Sequence, residues 1–86
     1  MPSSSTKRDA YDYAERIRER LPRRMQELRE ASGLTQYKLW RKCGVTRDTI
    51  SRIEAGERMP GVHVLTRLAW GLGETLEGFI SGMEDG

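Results

Sequence analysis

Apolar residues recur every three or four positions along most of the chain, a spacing typical of amphipathic helices. The first such stripe predicts a helix over residues 9–20 and consists of Ala10, Tyr13, Ala14, Ile17 and Leu21. Pro22 lacks a backbone donor and crowds the preceding turn, so we expect a new helix to begin there. The polar residues 1–8 predict a flexible N-terminal arm.

Short helices follow, predicted from their apolar stripes together with a capping threonine, a closing glycine or both. A threonine hydroxyl accepts from the free N–H groups of a first turn, and glycine adopts the left-handed conformation that ends a helix. The predicted spans are 22–31 before Gly33, 36–43 after Thr35, 47–55 after Thr46, 62–72 before Gly73, and 76–80 after Thr75. Since no alternating strand pattern occurs, we expect an all-α fold: a compact five-helix domain over 21–81, the added helix 9–20, and a tail over 82–86.

Length and composition restrict the function further. Eighty-six residues allow one small hydrophobic core. No apolar run approaches the roughly 20 residues of a membrane span, and the N-terminus lacks the apolar segment of a signal peptide. A single cysteine, Cys43, forms neither an internal disulfide nor a zinc cluster, so we expect a core residue there. The expected protein is cytoplasmic and uses no cofactor or metal.

Charge is unevenly distributed, although the net charge is only +2. Residues 31–60 contain six Lys and Arg against three acidic residues, whereas residues 61–86 contain one against four. This asymmetry indicates a side that faces a polyanion and an opposite side. By itself the imbalance is too small to identify a nucleic-acid-binding protein.

The two short helices 36–43 and 47–55 carry the most information about function. Helices of this length cannot bury their own apolar faces, so they must pack on each other and on a third helix. The tight turn at residues 44–45 forces a steep crossing, which exposes one side of the second helix. Ile50 and Ile53 are expected to point inward. The side chains expected on the exposed side are Arg47, Asp48, Ser51 and Arg52.

A larger set of residues falls in register with a known family: Leu28-Arg29-Glu30, Gly33-Leu34-Thr35-Gln36, Leu39, Gly44-Val45-Thr46-Arg47, Thr49-Ile50-Ser51-Arg52-Ile53-Glu54, Gly56, Arg58, Pro60, Leu65, Leu68-Ala69 and Leu72-Gly73. Over about residues 21–80 the chain resembles the Cro/phage-repressor (XRE-type) helix-turn-helix DNA-binding domains. The resemblance implies a sequence-specific regulator of transcription that binds double-stranded DNA. It further implies a repressor that acts as a homodimer on a palindromic operator.

The resemblance also implies roles for individual residues. The helix 47–55 would enter the major groove and contact bases through Arg47, Asp48 and Arg52. Arginine suits guanine O6 and N7, and aspartate accepts from cytosine N4. Contacts to the DNA backbone, or support for them, are expected from Thr35, Gln36, Lys38, Thr46, Thr49, Ser51 and Arg58. Arg29 and Glu54 match a structural ion pair beneath the recognition helix.

Several of these residues have an alternative that needs no DNA. A carboxylate at Asp48 is favourable in a first helical turn, and Arg52 is placed to pair with it one turn later. For Lys38 the alternative is a place on a solubilising face. Trp40 departs from the family, which usually has alanine there, so it must either swing outward or push the two helices apart.

The segment 9–20 has no counterpart in the minimal family domain. It either covers the core or binds another chain, and the C-terminal helix is a second candidate surface for a protein partner. An antitoxin, or another protein-interaction module on the same fold, is therefore the alternative function. An enzyme is not expected, because the sequence shows no nucleophile near a base, no Gly-rich phosphate loop and no cluster of metal ligands.

Overall fold

The computed structural model describes residues 6–84, which form five α-helices and no β-strand. The helices are α1 (Lys7–Ala31), α2 (Gln36–Cys43), α3 (Arg47–Glu54), α4 (Val62–Gly71) and α5 (Leu76–Glu84). The expected all-α class is thus confirmed. The molecule measures 45 × 22 × 21 Å, and its 25-residue first helix accounts for the long dimension.

The break predicted at Pro22 is wrong, because α1 continues through the proline without interruption. It starts at Thr6, whose hydroxyl accepts from the Asp9 N–H while the Asp9 carboxylate accepts from the Thr6 N–H. Leu21 and Met25, on either side of Pro22, are buried. An interior proline costs about 3 kcal/mol, and burial of two such side chains offsets a cost of this size. The helix predicted over 9–20 is the first part of α1.

Two predicted boundaries also move outward. Residues 7 and 8, assigned to a flexible arm, belong to α1, while residues 1–5 lie outside the described part of the chain. At the other end α5 continues to Glu84 with Met83 buried, so the tail predicted over 82–86 starts too early. Residues 85 and 86 are not among the described residues.

The core draws side chains from all five helices. Its most deeply buried members are Leu21, Met25, Leu39, Ile50, Ile53, Leu68, Phe79 and Met83. Cys43 is buried in the same cluster, as expected for a small core residue. The predicted apolar stripe of α1 reaches this core only at its C-terminal end: Ile17 packs against it, whereas Ala10, Tyr13 and Ala14 are exposed.

Two arginines of α1 hold α5 in place. The Arg20 guanidinium donates to the Met83 carbonyl oxygen at 2.7 Å. Arg24 donates to the carbonyl oxygens of Gly78 at 3.0 Å and Phe79 at 3.2 Å. The Met83 carbonyl lies in the last turn of α5, where it has no donor within the helix, whereas Gly78 and Phe79 lie in the first half of the helix. The Arg24 guanidinium occupies the space beside Gly82 that a Cβ atom would need.

An ion pair joins the end of α1 to the end of α3. Arg29 Nε and Nη2 donate to the two Glu54 carboxylate oxygens at 2.7 and 3.0 Å. Hydrogen bonding to Glu54 raises the pKa of Arg29 above its ordinary value, against the opposing effect of burial. Arg29 Nη1 also donates to the Leu34 carbonyl oxygen at 2.8 Å, and Gln36 Nε2 donates to Glu54 at 3.2 Å. The Glu54 carboxylate therefore connects α1, α2 and α3.

Helices α2 and α4 approach each other closely at Gly71. A Cβ atom added there would lie 2.9 Å from Leu39 Cδ1 and 3.0 Å from Cys43 Cβ. Cys43 Cβ is held by the backbone of α2 and cannot move independently. The close crossing thus depends on the missing side chain of Gly71.

Glu54→Gln should lower the free energy of unfolding by about 3 kcal/mol, because it leaves the Arg29 charge without a counterion in a partly buried site. Urea denaturation measures the change. Glu27→Gln is the matched control: its pair with Arg23 is exposed, with side-chain accessibilities of 62% and 86% against 7% and 13% for Glu54 and Arg29. Glu27→Gln should lower the free energy of unfolding by no more than about 0.5 kcal/mol. Equal losses would contradict the structural role of Glu54.

Gly71→Ala should destabilise the fold by about 1–3 kcal/mol through overpacking, even though alanine favours helices by about 1 kcal/mol. Thermal denaturation followed by circular dichroism tests this. A melting temperature equal to or above that of the natural chain would show that α2 and α4 do not need the glycine.

Candidate nucleic-acid interface

The turn between α2 and α3 contains a glycine in a backbone conformation that other residues rarely adopt. Gly44 has a φ of 79°, in the left-handed region, and its N–H donates to the Trp40 carbonyl oxygen at 2.8 Å. The space that a Cβ would need is occupied by the Arg67 guanidinium, whose Nε donates to the Cys43 carbonyl oxygen at 3.1 Å. The turn predicted at Gly44 is confirmed, and Val45 is buried beneath it.

Arg67 is a residue to which the sequence analysis gives no role. It is the single charged residue of α4, and it reaches across to the last carbonyl of α2. A lone charge in an otherwise uncharged helix is the sequence signal that marks it. No spacing rule identifies its acceptor, 24 positions earlier in the chain.

Helix α3 begins at the expected cap. Thr46 Oγ1 accepts from the Thr49 N–H at 3.2 Å and lies 2.9 Å from the Thr49 hydroxyl. The helix ends at Glu54, one residue before the predicted end. Ile50 and Ile53 are completely buried, which confirms their predicted inward orientation.

The exposed side of α3 carries four polar side chains, which we call the α3 polar face: Arg47, Asp48, Ser51 and Arg52. The carboxylate of Asp48 accepts from Arg52 Nε at 2.9 Å. This hydrogen bond, together with the negative charges of Asp48 and Glu57, raises the pKa of Arg52. The alternative expected for these two residues, an i, i+4 pair, is thus present in the protein without DNA.

The pair between Asp48 and Arg52 does not remove either side chain from use. The side chains of Asp48 and Arg52 are 73% and 54% accessible, respectively, so solvent screens their interaction. Either residue can therefore readily exchange this bond for one to another partner. Arg52 uses its Nε donor on Asp48, and the guanidinium has further donors on its two terminal nitrogens. The α3 polar face therefore presents donors and one acceptor at the surface.

The start of α2 provides a second set of polar groups. Thr35 Oγ1 accepts from the Lys38 N–H at 3.0 Å and so caps the helix as predicted, while the Lys38 side chain is exposed. Gln36 is half-buried, because its amide donates to Glu54. The first N–H groups of a helix attract anions, and a phosphate at this end would meet them directly.

The predicted backbone-contact residues divide into two groups by exposure. Thr35, Lys38, Thr46, Ser51 and Arg58 are exposed. Gln36 and Thr49 are half-buried, and both side chains are engaged within the protein, with Glu54 and Thr46 respectively. The bond between Gln36 and Glu54 places the first turn of α2 beside the last turn of α3, while the first turn of α3 follows the end of α2 after residues 44–46. Arg58 lies in the connection that follows α3.

Trp40 takes the outward of its two expected positions. It is half-buried at the edge of the core, while Leu39 and Cys43 fill the interior side of α2. Its ring meets that of Tyr37 edge to face, with centroids 5.5 Å apart and planes at 85°. The motif accommodates the large side chain at its rim.

Among residues 6–84, no three His, Cys, Asp or Glu side chains are placed to share a metal ion. None of the helices in this part of the chain is both long and apolar enough to cross a membrane.

The model of the HTH_3 helix-turn-helix family matches residues 25–79. No curated protein matches the sequence significantly. A crystal structure of an HTH_3 family transcriptional regulator from Vibrio cholerae is similar in fold, with a TM-score of 0.71 and 24% sequence identity. The similarity covers 77% of this chain and 37% of that one, so this chain spans little more than a third of that protein.

The family match contains the whole of α2, α3 and α4, and thus both halves of the motif described above. It covers well over half of the chain and agrees with the expected Cro/phage-repressor type of domain. The chain belongs to the HTH_3 family of helix-turn-helix domains, the Cro/C1 or XRE type.

Proposed function

We propose that the protein binds double-stranded DNA sequence-specifically and regulates transcription, as a repressor that acts as a homodimer on a palindromic operator. The observation that carries this proposal is the α3 polar face, which is exposed on a helix anchored from behind by the Arg29–Glu54 ion pair. A helix fixed in this way presents its outer side chains at a constant angle, as readout in a major groove requires.

Base readout is assigned to Arg47, Asp48 and Arg52. Either arginine fits guanine O6 and N7 through two parallel donors, and Asp48 accepts from cytosine N4. Each good pair discriminates against the wrong base by about 1–3 kcal/mol. In this proposal Arg52 either gives up its exposed bond to Asp48 for a bond to a base, or makes both bonds at once.

Contacts to the DNA backbone, or support for them, are assigned to the first turns of α2 and α3, to Ser51 in the second turn of α3, and to the connection after α3. The contributing residues are Thr35, Gln36, Lys38, Thr46, Thr49, Ser51 and Arg58. Gln36 and Thr49 support these contacts from within, since both are bonded inside the protein. The excess of positive charge over residues 31–60 favours approach to DNA on this side.

Dimerisation follows from the size of the recognition element. An eight-residue helix reads only a few base pairs, so one copy alone cannot select an operator. Two copies related by a two-fold axis read an inverted repeat with half-sites about 34 Å apart.

A second candidate function is that of an antitoxin or other protein-interaction module. It is favoured by the N-terminal half of α1, where the described residues Tyr11 and Tyr13 are exposed beyond the body of the domain. α5 is the other candidate surface for such a partner. A cytoplasmic location and the absence of enzymatic activity remain predictions.

Selection from a random duplex library, with recovered sequences re-tested at low and moderate salt, tests the proposed function. We expect an inverted-repeat consensus and binding that weakens steeply as salt rises. Enrichment of no sequence, combined with binding that moderate salt abolishes, would leave only a non-specific basic surface and would contradict the proposal.

On the selected operator, Arg52→Ala should reduce the preference at one base-pair position by about 1–3 kcal/mol and leave preferences elsewhere intact. Arg23→Ala is the matched control, because it removes the same charge from an exposed i, i+4 pair on α1. Fluorescence anisotropy with operator variants measures both. Equal loss of affinity on every variant for Arg52→Ala would argue against base readout by this residue.

A further inference from the structure

Two oppositely charged side chains of the α3 polar face are bonded to each other. Arg52 follows Asp48 by four residues, about one helical turn, so both side chains lie on the same side of α3. Arg52 Nε donates to Asp48 Oδ2 at 2.9 Å. Because the pair is exposed, it adds little to the stability of the fold. What the bond does restrict is the orientation of the Arg52 guanidinium.

The bond leaves the outer end of the guanidinium available to a ligand. A guanidinium is planar and carries five N–H donors, one on Nε and four on the two terminal nitrogens. Among residues 6–84, no group accepts from Nη1 or Nη2 of Arg52. These two nitrogens provide the parallel donors that match O6 and N7 of guanine. Since Asp48 holds Nε, the plane of these donors is restricted before DNA binds.

The Asp48 carboxylate also keeps an acceptor for DNA. It uses Oδ2 on Arg52, while no donor from the described part of the chain reaches Oδ1. Oδ1 can therefore accept from a cytosine amino group while Oδ2 stays bonded to Arg52. Contact with a base by Asp48 and support of Arg52 by Asp48 are thus compatible.

The other arginine of the α3 polar face lacks such support. Within residues 6–84, the Arg47 guanidinium forms no hydrogen bond or ion pair. A long side chain without a partner populates many rotamers, and fixing one of them on a base costs entropy. Arg52 has lost part of this freedom in the protein alone, so it binds a base with a smaller entropy loss.

We propose that Asp48 is a positioning residue for base readout: it holds the Arg52 guanidinium through Nε while the two terminal nitrogens bind a guanine. The proposal rests on the proposed function and makes it more specific, because Arg52 keeps its bond to Asp48 in the complex with DNA. Each operator half-site then contains a guanine whose recognition depends on Asp48 as well as on Arg52.

The charge of Asp48 and its acceptor oxygen affect DNA binding in opposite directions. The negative charge repels phosphates, so its removal raises the affinity for every sequence. The acceptor orients Arg52, so its removal lowers the preference for guanine. Asp48→Ala removes both, whereas Asp48→Asn removes the charge and keeps a carbonyl oxygen that accepts from Nε. Comparison of the two variants separates the acceptor from the charge.

Fluorescence anisotropy tests the proposal on the selected operator and on duplexes with each other base pair at the position where Arg52→Ala loses its preference. We expect Asp48→Ala to lower the affinity ratio of guanine over the other bases by about fivefold or more. Asp48→Asn should change this ratio by less than about twofold. Both variants should bind a duplex of unrelated sequence more tightly, and to the same extent.

Glu57→Ala is the matched control. The negative charge of Glu57 also contributes to the raised pKa of Arg52, but the Glu57 side chain forms no hydrogen bond with any residue in 6–84. This variant should leave the guanine ratio unchanged. Three results would each overturn the positioning role: an unchanged ratio in Asp48→Ala, an equal loss in Asp48→Asn, or an equal loss in Glu57→Ala. A position of Arg52 preference that does not favour guanine would overturn it too.

A measurement on the complex tests whether the bond persists when DNA is bound. In ¹⁵N NMR spectra of the operator complex, the Arg52 Nε–H should exchange slowly with water in the natural chain and in Asp48→Asn, and faster in Asp48→Ala. Equally fast exchange in all three complexes would show that Arg52 leaves Asp48 on binding, and would overturn the proposal.

Failure of this proposal is distinguishable from failure of the proposed function. Selection of no sequence from the duplex library would contradict both. An operator whose guanine preference survives intact in Asp48→Ala would refute the role of Asp48 and keep sequence-specific DNA binding.

Discussion

The carboxylate of Glu54 is the junction on which the arrangement of the motif depends. It receives two donors from Arg29 at the end of α1 and one from Gln36 at the start of α2, and it stands in the last turn of α3. Arg29 in turn holds the Leu34 carbonyl in the connection between α1 and α2. Because both side chains are partly buried, removal of one partner leaves the other charge in a site where water reaches it only in part. The angle of α3 relative to the rest of the domain follows from this junction.

Two further close contacts, at Gly44 and Gly71, position α2. At Gly44 the chain turns in the left-handed conformation while Arg67 fills the space behind it, and at Gly71 helices α2 and α4 come together without an intervening side chain. Both place α2 firmly, and α3 is joined to α2 by only three residues, 44–46. The exposed side of α3 is thus presented by a support that allows little rotation. Such preorganisation limits the entropy lost on binding and fits the proposed role in DNA readout.

The sequence predicted those parts of the fold that local rules govern. Thr35, Thr46 and the glycines that follow each helix marked α2 and α3 to within one residue, because caps act on their own first or last turn. The same reliance on local rules failed at Pro22, where packing of the flanking residues into the core outweighs the proline penalty. Arg67 and Arg24 donate to residues that lie 24 and 55 positions away in the chain, a separation that no periodic pattern covers. The Arg29–Glu54 pair was expected only through family resemblance.

DNA recognition by the α3 polar face is tested by titrating the ¹⁵N-labelled protein with an operator duplex and following the amide chemical shifts. We expect the largest shifts on α3 and on the first turn of α2, with little change where α1 meets α5. Changes concentrated on the N-terminal half of α1 or on α5, with α3 unaffected, would contradict DNA recognition by the α3 polar face.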